Sequence, residues 1–343
     1  MGPGGPRGLQ ILLLGAFTVR GGFDSHTFPP SPFPWCQDPA TMNATVIANP
    51  FAGSGRNRLD GDRAVQLLQA RGVTARLRPT TGTGDATDLA REAATDGADL
   101  VVAVGGDGTV HETAMGLVGT GTPLGVLPSG SGNDFARGIG CPTVADGLAA
   151  ICDGRTVQVD VAHVDDQRFI NSLGLFAAGL ISGRAATYWR WLGGLRYTLA
   201  TLVTLVDYRG QDVVWEFGDG TREEGRILMV EICNGPTTGG GFRLAPGARL
   251  DDGWLDGFLV HPVSAVSGMG MVPRAARGQR IEHPAVHYRR DRELRFSATG
   301  PVAYHRDGEP GVLPAGEHTV GIIPEKLSVR VPASWDAGDS GAT

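Results

Sequence analysis

A chain of 343 residues, 41 % of them hydrophobic, is long enough for two domains of roughly 150 residues each, and cores of that size need no disulfides. Glycine (53) and proline (22) together stay under the ~25–30 % at which disorder becomes the better description, so the chain folds with many turns. The net charge of −6 argues against a nucleic-acid binder, because neutralising phosphates takes a basic face.

The 30 basic residues contain one lysine, Lys326; the others are arginines. That count excludes a Walker A loop, a protein-kinase strand lysine and a Schiff-base nucleophile, since Lys326 stands in Pro-Glu-Lys-Leu-Ser and suits none of them. Lys326 is therefore expected to be dispensable. Cys36, Cys141, Cys152 and Cys233 form no C-x-x-C pair and have no histidine at metal-ligand spacing, which favours a reduced, cytoplasmic interior.

In chain order, residues 1–41 are crowded with glycine and proline around one apolar run, 9–19, too short to span a bilayer. A signal-peptide core is the alternative, but no clean small-x-small cleavage site follows. The preferred reading is a disordered or mis-assigned leader with Met42 as the natural start, and a flexible tail at 333–343. From residue 44 to about 152, β-branched runs at 45–48, 73–77, 100–104 and 123–127 alternate with helical stretches near 60–70, 86–95 and 110–118. That is the pattern of βαβ units and a mostly parallel sheet. Short strand-like runs follow at 157–164, 168–173, 212–217, 227–233, 254–260, 286–289, 293–297, 318–322 and 327–331, which suggests an antiparallel sandwich. One helix, 188–208, interrupts it. Its apolar residues Leu195, Leu199, Leu202 and Leu205 or Val206 recur at core-helix spacing, while Tyr188-Trp189-Arg190-Trp191 has the composition of a membrane interface.

Three glycine loops follow three of the early strands: Asn49-Pro50-Phe51-Ala52-Gly53, Gly105-Gly106-Asp107-Gly108-Thr109, and Ser129-Gly130-Ser131-Gly132-Asn133-Asp134-Phe135. Glycine lets backbone N–H groups approach a polyphosphate, and a following helix N-terminus favours the same anion. Neighbouring parallel strands deliver such loops to one sheet edge, where open α/β folds bind ligands. A nucleotide or other phosphorylated ligand follows. Asp107 is the anomaly, since a carboxylate aimed at phosphate repels it unless a cation or a hydroxyl stands between them.

These three motifs, with Glu112, resemble the ordered signatures of the diacylglycerol kinase catalytic-domain family, in particular bacterial diacylglycerol/YegS-type lipid kinases, over about residues 43–331. The resemblance implies an α/β plus all-β architecture: a Rossmann-like ATP-binding domain (42–160), then an antiparallel β-sandwich lipid and catalytic domain (161–332), with the active site in the interdomain cleft. It implies ATP contacts at Asn49, Pro50, Phe51, Ala52, Gly53, Thr80, Gly105, Gly106, Asp107, Gly108, Thr109, Val110, His111, Glu112, Ser131, Asn133 and Asp134. His111 stands where the family often has Asn. The turn Arg249-Leu250-Asp251-Asp252-Gly253-Trp254 resembles one that holds Mg2+ through Asp252 and the carbonyls of Arg249 and Trp254. His305-Arg306-Asp307-Gly308-Glu309 resembles the family's Asp-Gly-Glu, which makes Asp307 the expected catalytic base and Glu309 its polar or magnesium-holding neighbour. Asp107, Asp134 and Asp160 are a candidate acidic cluster for a second magnesium.

The implied reaction transfers the γ-phosphate of ATP to a lipid hydroxyl, diacylglycerol first, with transient contact at the inner face of the membrane. A homodimer is compatible with the sequence. Sphingoid-base or other lipid kinases, an NAD kinase, and a non-catalytic nucleotide or lipid sensor on the same fold remain alternatives.

Overall fold

The structure, a computed structural model, describes residues 42–50, 59–188 and 195–337. The first half alternates as β1 (Asn43–Ala48), α1 (Gly61–Gln69), β2 (Thr74–Pro79), α2 (Asp85–Thr95), β3 (Leu100–Gly105), α3 (Asp107–Leu117), β4 (Leu124–Pro128), α4 (Asp134–Gly138), α5 (Val144–Asp153) and β5 (Arg155–Val159). Strands β2-β1-β3-β4 lie side by side and parallel. All residues of β3 and β4 are buried, as expected of strands covered on both faces. Alternate residues serve opposite layers: Val101 and Ala103 pack with Ala86, Ala90 and Ala114 of α2 and α3, whereas Val102 and Val104 pack with Ala64 and Leu68 of α1 and Ile151 of α5. Two helix starts are fixed locally, α1 by the Asp60 carboxylate accepting from Arg63 N and α5 by a Thr143/Asp146 capping box.

The chain continues as β6 (Ala162–Val164), β7 (Gln167–Phe169), β8 (Ser172–Phe176), α6 (Ala177–Thr187), α7 (Leu195–Asp207), β9 (Gln211–Phe217), β10 (Arg222–Ile227), β11 (Met229–Cys233), β12 (Leu255–Val260), α8 (Ala265–Ala276), β13 (Val286–Asp291), β14 (Glu293–Ala298), β15 (Val302–Arg306), β16 (Glu309–Leu313), β17 (Gly316–Ile322) and β18 (Leu327–Val331). Two six-stranded sheets, β10-β9-β14-β17-β6-β7 and β13-β12-β11-β8-β15-β16, form the sandwich, and every strand pair in them is antiparallel. Phe176 from one sheet and Trp215 and Phe296 from the other meet in its core, the last two with ring centroids 4.9 Å apart.

The structure departs from the sequence reading in four places. Residues 327–331 belong to the first sheet, not the sandwich: β18 lies between β4 and β5. The expected strand 157–164 breaks at Asp160, and 168–173 breaks at Ile170 and Asn171, whose N–H groups leave the sheet for the Asp307 carboxylate. Three helices, not one, interrupt the second half, because α6 precedes the aromatic segment and α8 follows β12. On α7 the anticipated core stripe holds only in part: Leu205 is buried, with Ala200 and Thr204, while Leu199, Leu202, Val203 and Val206 are 42–54 % exposed. Arg184 of α6 holds this orientation through Thr204 Oγ1 (2.8 Å) and Asp207. Readings that fall on residues 1–41, 189–194 and 338–343 lie outside the described residues.

Candidate active site

Four parallel strands end at one edge and deliver four loops in the order β2-β1-β3-β4. Thr80 N donates to Ala48 O (2.9 Å), Asn49 N to Val104 O (3.4 Å) and Ser129 N to Gly105 O (2.8 Å), so each loop leaves its strand tied to a neighbour. The second and third glycine loops touch backbone to backbone; a Cβ on Gly130 would collide with Gly106 Cα. Helix α3 starts there without a side-chain cap, leaving its first N–H groups for an anion. Ser131 is exposed on this edge. Val110 instead packs in the core against α2, and Thr109 is buried, so these two support the loop from behind. Phe51, Ala52 and Gly53 lie outside the described residues.

Asp107 turns away from the edge. Its oxygens accept from Asn133 N (2.8 Å) and Asp134 N (2.7 Å), so it ties the second loop to the third. Desolvation, together with repulsion from Asp134, pushes its carboxyl up to about 6. Asn133, in the left-handed region (φ 57°), closes its own loop by accepting from Gly130 N (3.0 Å). Asp134 accepts in turn from Gly240 N (2.8 Å) and Gly241 N (2.6 Å), which carries the connection into the second half of the chain. Burial raises the Asp134 carboxyl above the usual range, and those two N–H groups counter it. Arg137 Nε donates to Gly132 O (3.2 Å) and thus closes the same loop.

Asp307 sits at the β15–β16 turn with φ 49° and a 3 % exposed side chain. Oδ1 accepts from Asn171 N (2.8 Å) and Ser172 N (2.9 Å), and Oδ2 accepts from Ile170 N (2.9 Å) and lies 2.7 Å from His111 Nδ1. Burial alone would raise this carboxyl, but His111 and the backbone N–H groups hold it below the ordinary value. His111 therefore fastens α3, the helix behind the glycine loop, to the sandwich. Glu309, exposed on the same turn, lies against the start of α3: its Oε1 is 2.9 Å from where a Cβ on Gly108 would stand. The backbone carbonyl of Glu112 accepts from Thr87 Oγ1 (2.9 Å), which ties α3 to α2.

The expected metal turn is arranged differently. Asp252 Oδ1 accepts from Trp254 N (3.0 Å), and Oδ2 is ion-paired with Arg290, which occupies the place a cation needs. Arg249 points its guanidinium at Asp251 (3.3 Å) and Asp336 (3.1 Å). A cation beside Asp252 would have to displace Arg290, while the carbonyls of Arg249 and Trp254, the other expected ligands, are separate from these side-chain pairs. The acidic cluster is also divided: Asp160 lies apart from Asp107 and Asp134, accepting from Gly253 N (2.8 Å) and paired with Lys326. Among the described residues no group of three or more His, Cys, Asp or Glu could hold an ion. Lys326, expected to be dispensable, is the counterion of a carboxylate with no exposure.

Sequence reasoning missed three participants. The Ile170–Ser172 N–H cradle has no side-chain signature. Gly239, Gly240 and Gly241, all at positive φ, did carry one as a run of three glycines. Glu231, a buried charge within the apolar strand β11, was another visible signal; it lies 3.4 Å from His305 Nε2. Burial opposes protonation of His305, yet Glu231, with Asp307 and Asp134 behind it, holds the imidazole above its usual value. The described cysteines, Cys141, Cys152 and Cys233, are buried free thiols, and burial pushes Cys141 up to about 12.

Comparison with known proteins agrees with the arrangement. Residues 43–164 match the diacylglycerol kinase catalytic domain, and residues 177–331 match the YegS C-terminal NAD kinase beta sandwich-like domain. Diacylglycerol kinase of Bacillus subtilis is 29 % identical over 279 residues, 80 % of this chain and 92 % of the relative. A Citrobacter koseri protein named "Probable lipid kinase YegS-like" is 30 % identical over 309 residues, 85 % of this chain and 97 % of the relative. The crystal structure of a diacylglycerol kinase from Bacillus anthracis strain Sterne shares the fold, with a TM-score of 0.64 at 23 % identity, covering 84 % of this chain and 97 % of that one. With its glycine-loop edge joined to a β-sandwich through His111 and Asp307, the chain belongs to the diacylglycerol kinase and YegS lipid kinase family.

Proposed function

We propose that the protein transfers the γ-phosphate of ATP to the hydroxyl of diacylglycerol, giving phosphatidic acid. The observation that carries this reading is the 2.7 Å contact between His111 and Asp307, which sets the carboxylate-bearing turn of the sandwich against the helix behind the glycine loops. The name of the Bacillus subtilis relative supports diacylglycerol as the acceptor. Phosphoryl transfer has a loose transition state, so the protein's work is alignment and charge neutralisation. The stacked loops and the uncapped start of α3 supply N–H groups to the phosphates in place of a lysine. ATP enters as its magnesium complex, that ion travelling with the substrate.

The lipid side is supported by α7. Leu199, Leu202, Val203 and Val206 form an exposed apolar face at i, i+3, i+4, i+7 spacing, suited to shallow contact with acyl chains at the cytoplasmic face of a membrane. No helix of the described residues is long and apolar enough to cross a membrane. The reading is tested by offering diacylglycerol, sphingosine, phosphatidylglycerol and NAD side by side with ATP and identifying products by mass. Phosphatidic acid should dominate; a phosphorylated sphingoid base or NADP as the main product would replace the proposed acceptor.

A further inference from the structure

Three of the chain's eight histidines, His261, His283 and His287, line one open hollow of about 540 Å3, whose lining contains no residue of the candidate active site. The hollow lies at the neck of an excursion. Strands β12 and β13 pair up to Val260 and Val286, His261 N donates to Ala285 O (2.8 Å), and residues 262–285 leave the sheet to carry α8. Hydrogen bonds decide which ring nitrogens are bare. A backbone carbonyl only accepts, so His261 Nδ1 carries the proton it gives to Arg226 O (3.2 Å), and His287 Nε2 the proton it gives to Pro284 O (3.1 Å). In the neutral rings that leaves lone pairs on His261 Nε2 and His287 Nδ1, and among the described residues neither nitrogen has a hydrogen-bond partner. The two rings are neighbours, with centroids 4.8 Å apart. His283 differs: its Nδ1 accepts from Ala285 N (3.1 Å) and its Nε2 faces Ser267 Oγ (3.3 Å), which commits both nitrogens.

We propose that His261 and His287 form a site for a divalent transition-metal cation of the Zn2+ type, which closes the neck of the α8 excursion. Metal-binding histidines characteristically donate one ring N–H to a backbone carbonyl or carboxylate, which fixes the tautomer and raises the basicity of the other nitrogen. Both rings here are held in that way. Imidazole nitrogens suit Zn2+, Ni2+ and Cu2+, whereas Mg2+ prefers oxygen, so this cation differs from the one that travels with ATP. Two imidazoles leave the other positions of a tetrahedral ion to water, which makes the site exchangeable. His261 follows β12 and His287 stands in β13, so an ion held by both joins the two ends of the excursion. Its helix α8 in turn supports α7, Met271 packing in one cluster with Leu205.

Calorimetric titration of the full chain with Zn2+, and with Mg2+ in parallel, tests the site. Zn2+ should bind wild type with an affinity that His261→Gln and His287→Gln each weaken about 10-fold or more. His283→Gln should keep the wild-type affinity, and Mg2+ should not compete. Glutamine retains an N–H for the carbonyl but has no imidazole nitrogen, so thermal unfolding without metal should match in all of these proteins. The closing of the neck is read by trypsin. Arg274, Arg277 and Arg280, in and just after α8, are exposed, and Zn2+ should slow cleavage there in wild type but not in the His261→Gln/His287→Gln double variant. No Zn2+ binding by wild type, binding that survives both substitutions, or Zn2+-bound wild type cut as fast as the metal-free protein would each overturn the proposal. Equal loss of affinity in His283→Gln would overturn the assignment to two histidines.

Discussion

Lys326 is ion-paired with Asp160, a carboxylate whose side chain has no solvent exposure. Asp160 stands just after β5, between the two sheets' territories, and Lys326 stands just before β18, the strand that returns to the first sheet. The chain's one lysine therefore fastens the C-terminal strand to the hinge between the two halves. Lys326→Gln leaves a buried negative charge unpaired. The expected loss is near the low end of the ~3–5 kcal/mol typical of a broken buried pair, since the lysine is partly exposed. Lys326→Arg, which keeps the charge, should lose less. Urea unfolding of the two variants measures both, and equal stability of wild type and Lys326→Gln would contradict the pairing.

Asp107 gives the protein a pH dependence of uncommon sign. Its carboxyl is raised from 3.8 to about 6 by desolvation and by Asp134, so between those values the folded chain binds a proton that the unfolded chain does not. Stability from this group is therefore greatest below pH 4, declines as the pH rises, and levels off above about 6. The total is about 3 kcal/mol, because each tenfold gain in proton affinity on folding is worth ~1.4 kcal/mol. Comparing unfolding free energies of wild type and Asp107→Asn from pH 4 to 7 isolates it. The wild type should lose ground to the variant across that window; a constant difference would place the Asp107 titration elsewhere.

Gly130→Ala should spoil nucleotide binding without unfolding the protein. The added methyl meets Gly106 Cα, which is backbone and cannot rotate away, so the two glycine loops must separate. ATP affinity measured by calorimetry should weaken about 10-fold or more, roughly the ~1.4 kcal/mol that a displaced loop readily costs. Unchanged affinity would mean the loops do not act together on the phosphates.

How much of this was legible beforehand depends on the range of the interaction. Strands β1, β3 and β4 were readable because burial writes nearly continuous apolar runs, and the glycine loops were readable because close backbone approach admits little else. Strands β10, β15 and β16 left weaker marks. Arg222–Ile227 alternates exposed charges on an edge, and Glu309–Leu313 carries a proline and a glycine. Contacts between distant residues left none: His111 and Asp307 are 196 positions apart, and Asp160 and Lys326 are 166 apart. The anomaly of Asp107 was visible in the sequence. Its resolution, a carboxylate turned onto two N–H groups of the next loop, needed coordinates.

Charges placed on the outward face of α7 test the proposed contact with a lipid surface separately from the chemistry. Leu199→Glu with Val206→Glu should lower activity toward diacylglycerol in vesicles about 10-fold or more, while activity toward a short-chain, water-dispersed diacylglycerol stays near wild type. Equal loss on both substrates would mean that the helix supports the fold rather than the membrane contact.

The central claim, a lipid kinase built from the two halves of the chain, is tested most directly by following labelled γ-phosphate from ATP into a lipid extract with the wild-type protein and vesicles containing diacylglycerol. The account predicts label in phosphatidic acid, released at a rate that depends on His111 and Asp307. Label that appears only as inorganic phosphate, or that leaves every lipid hydroxyl unmodified, would contradict it.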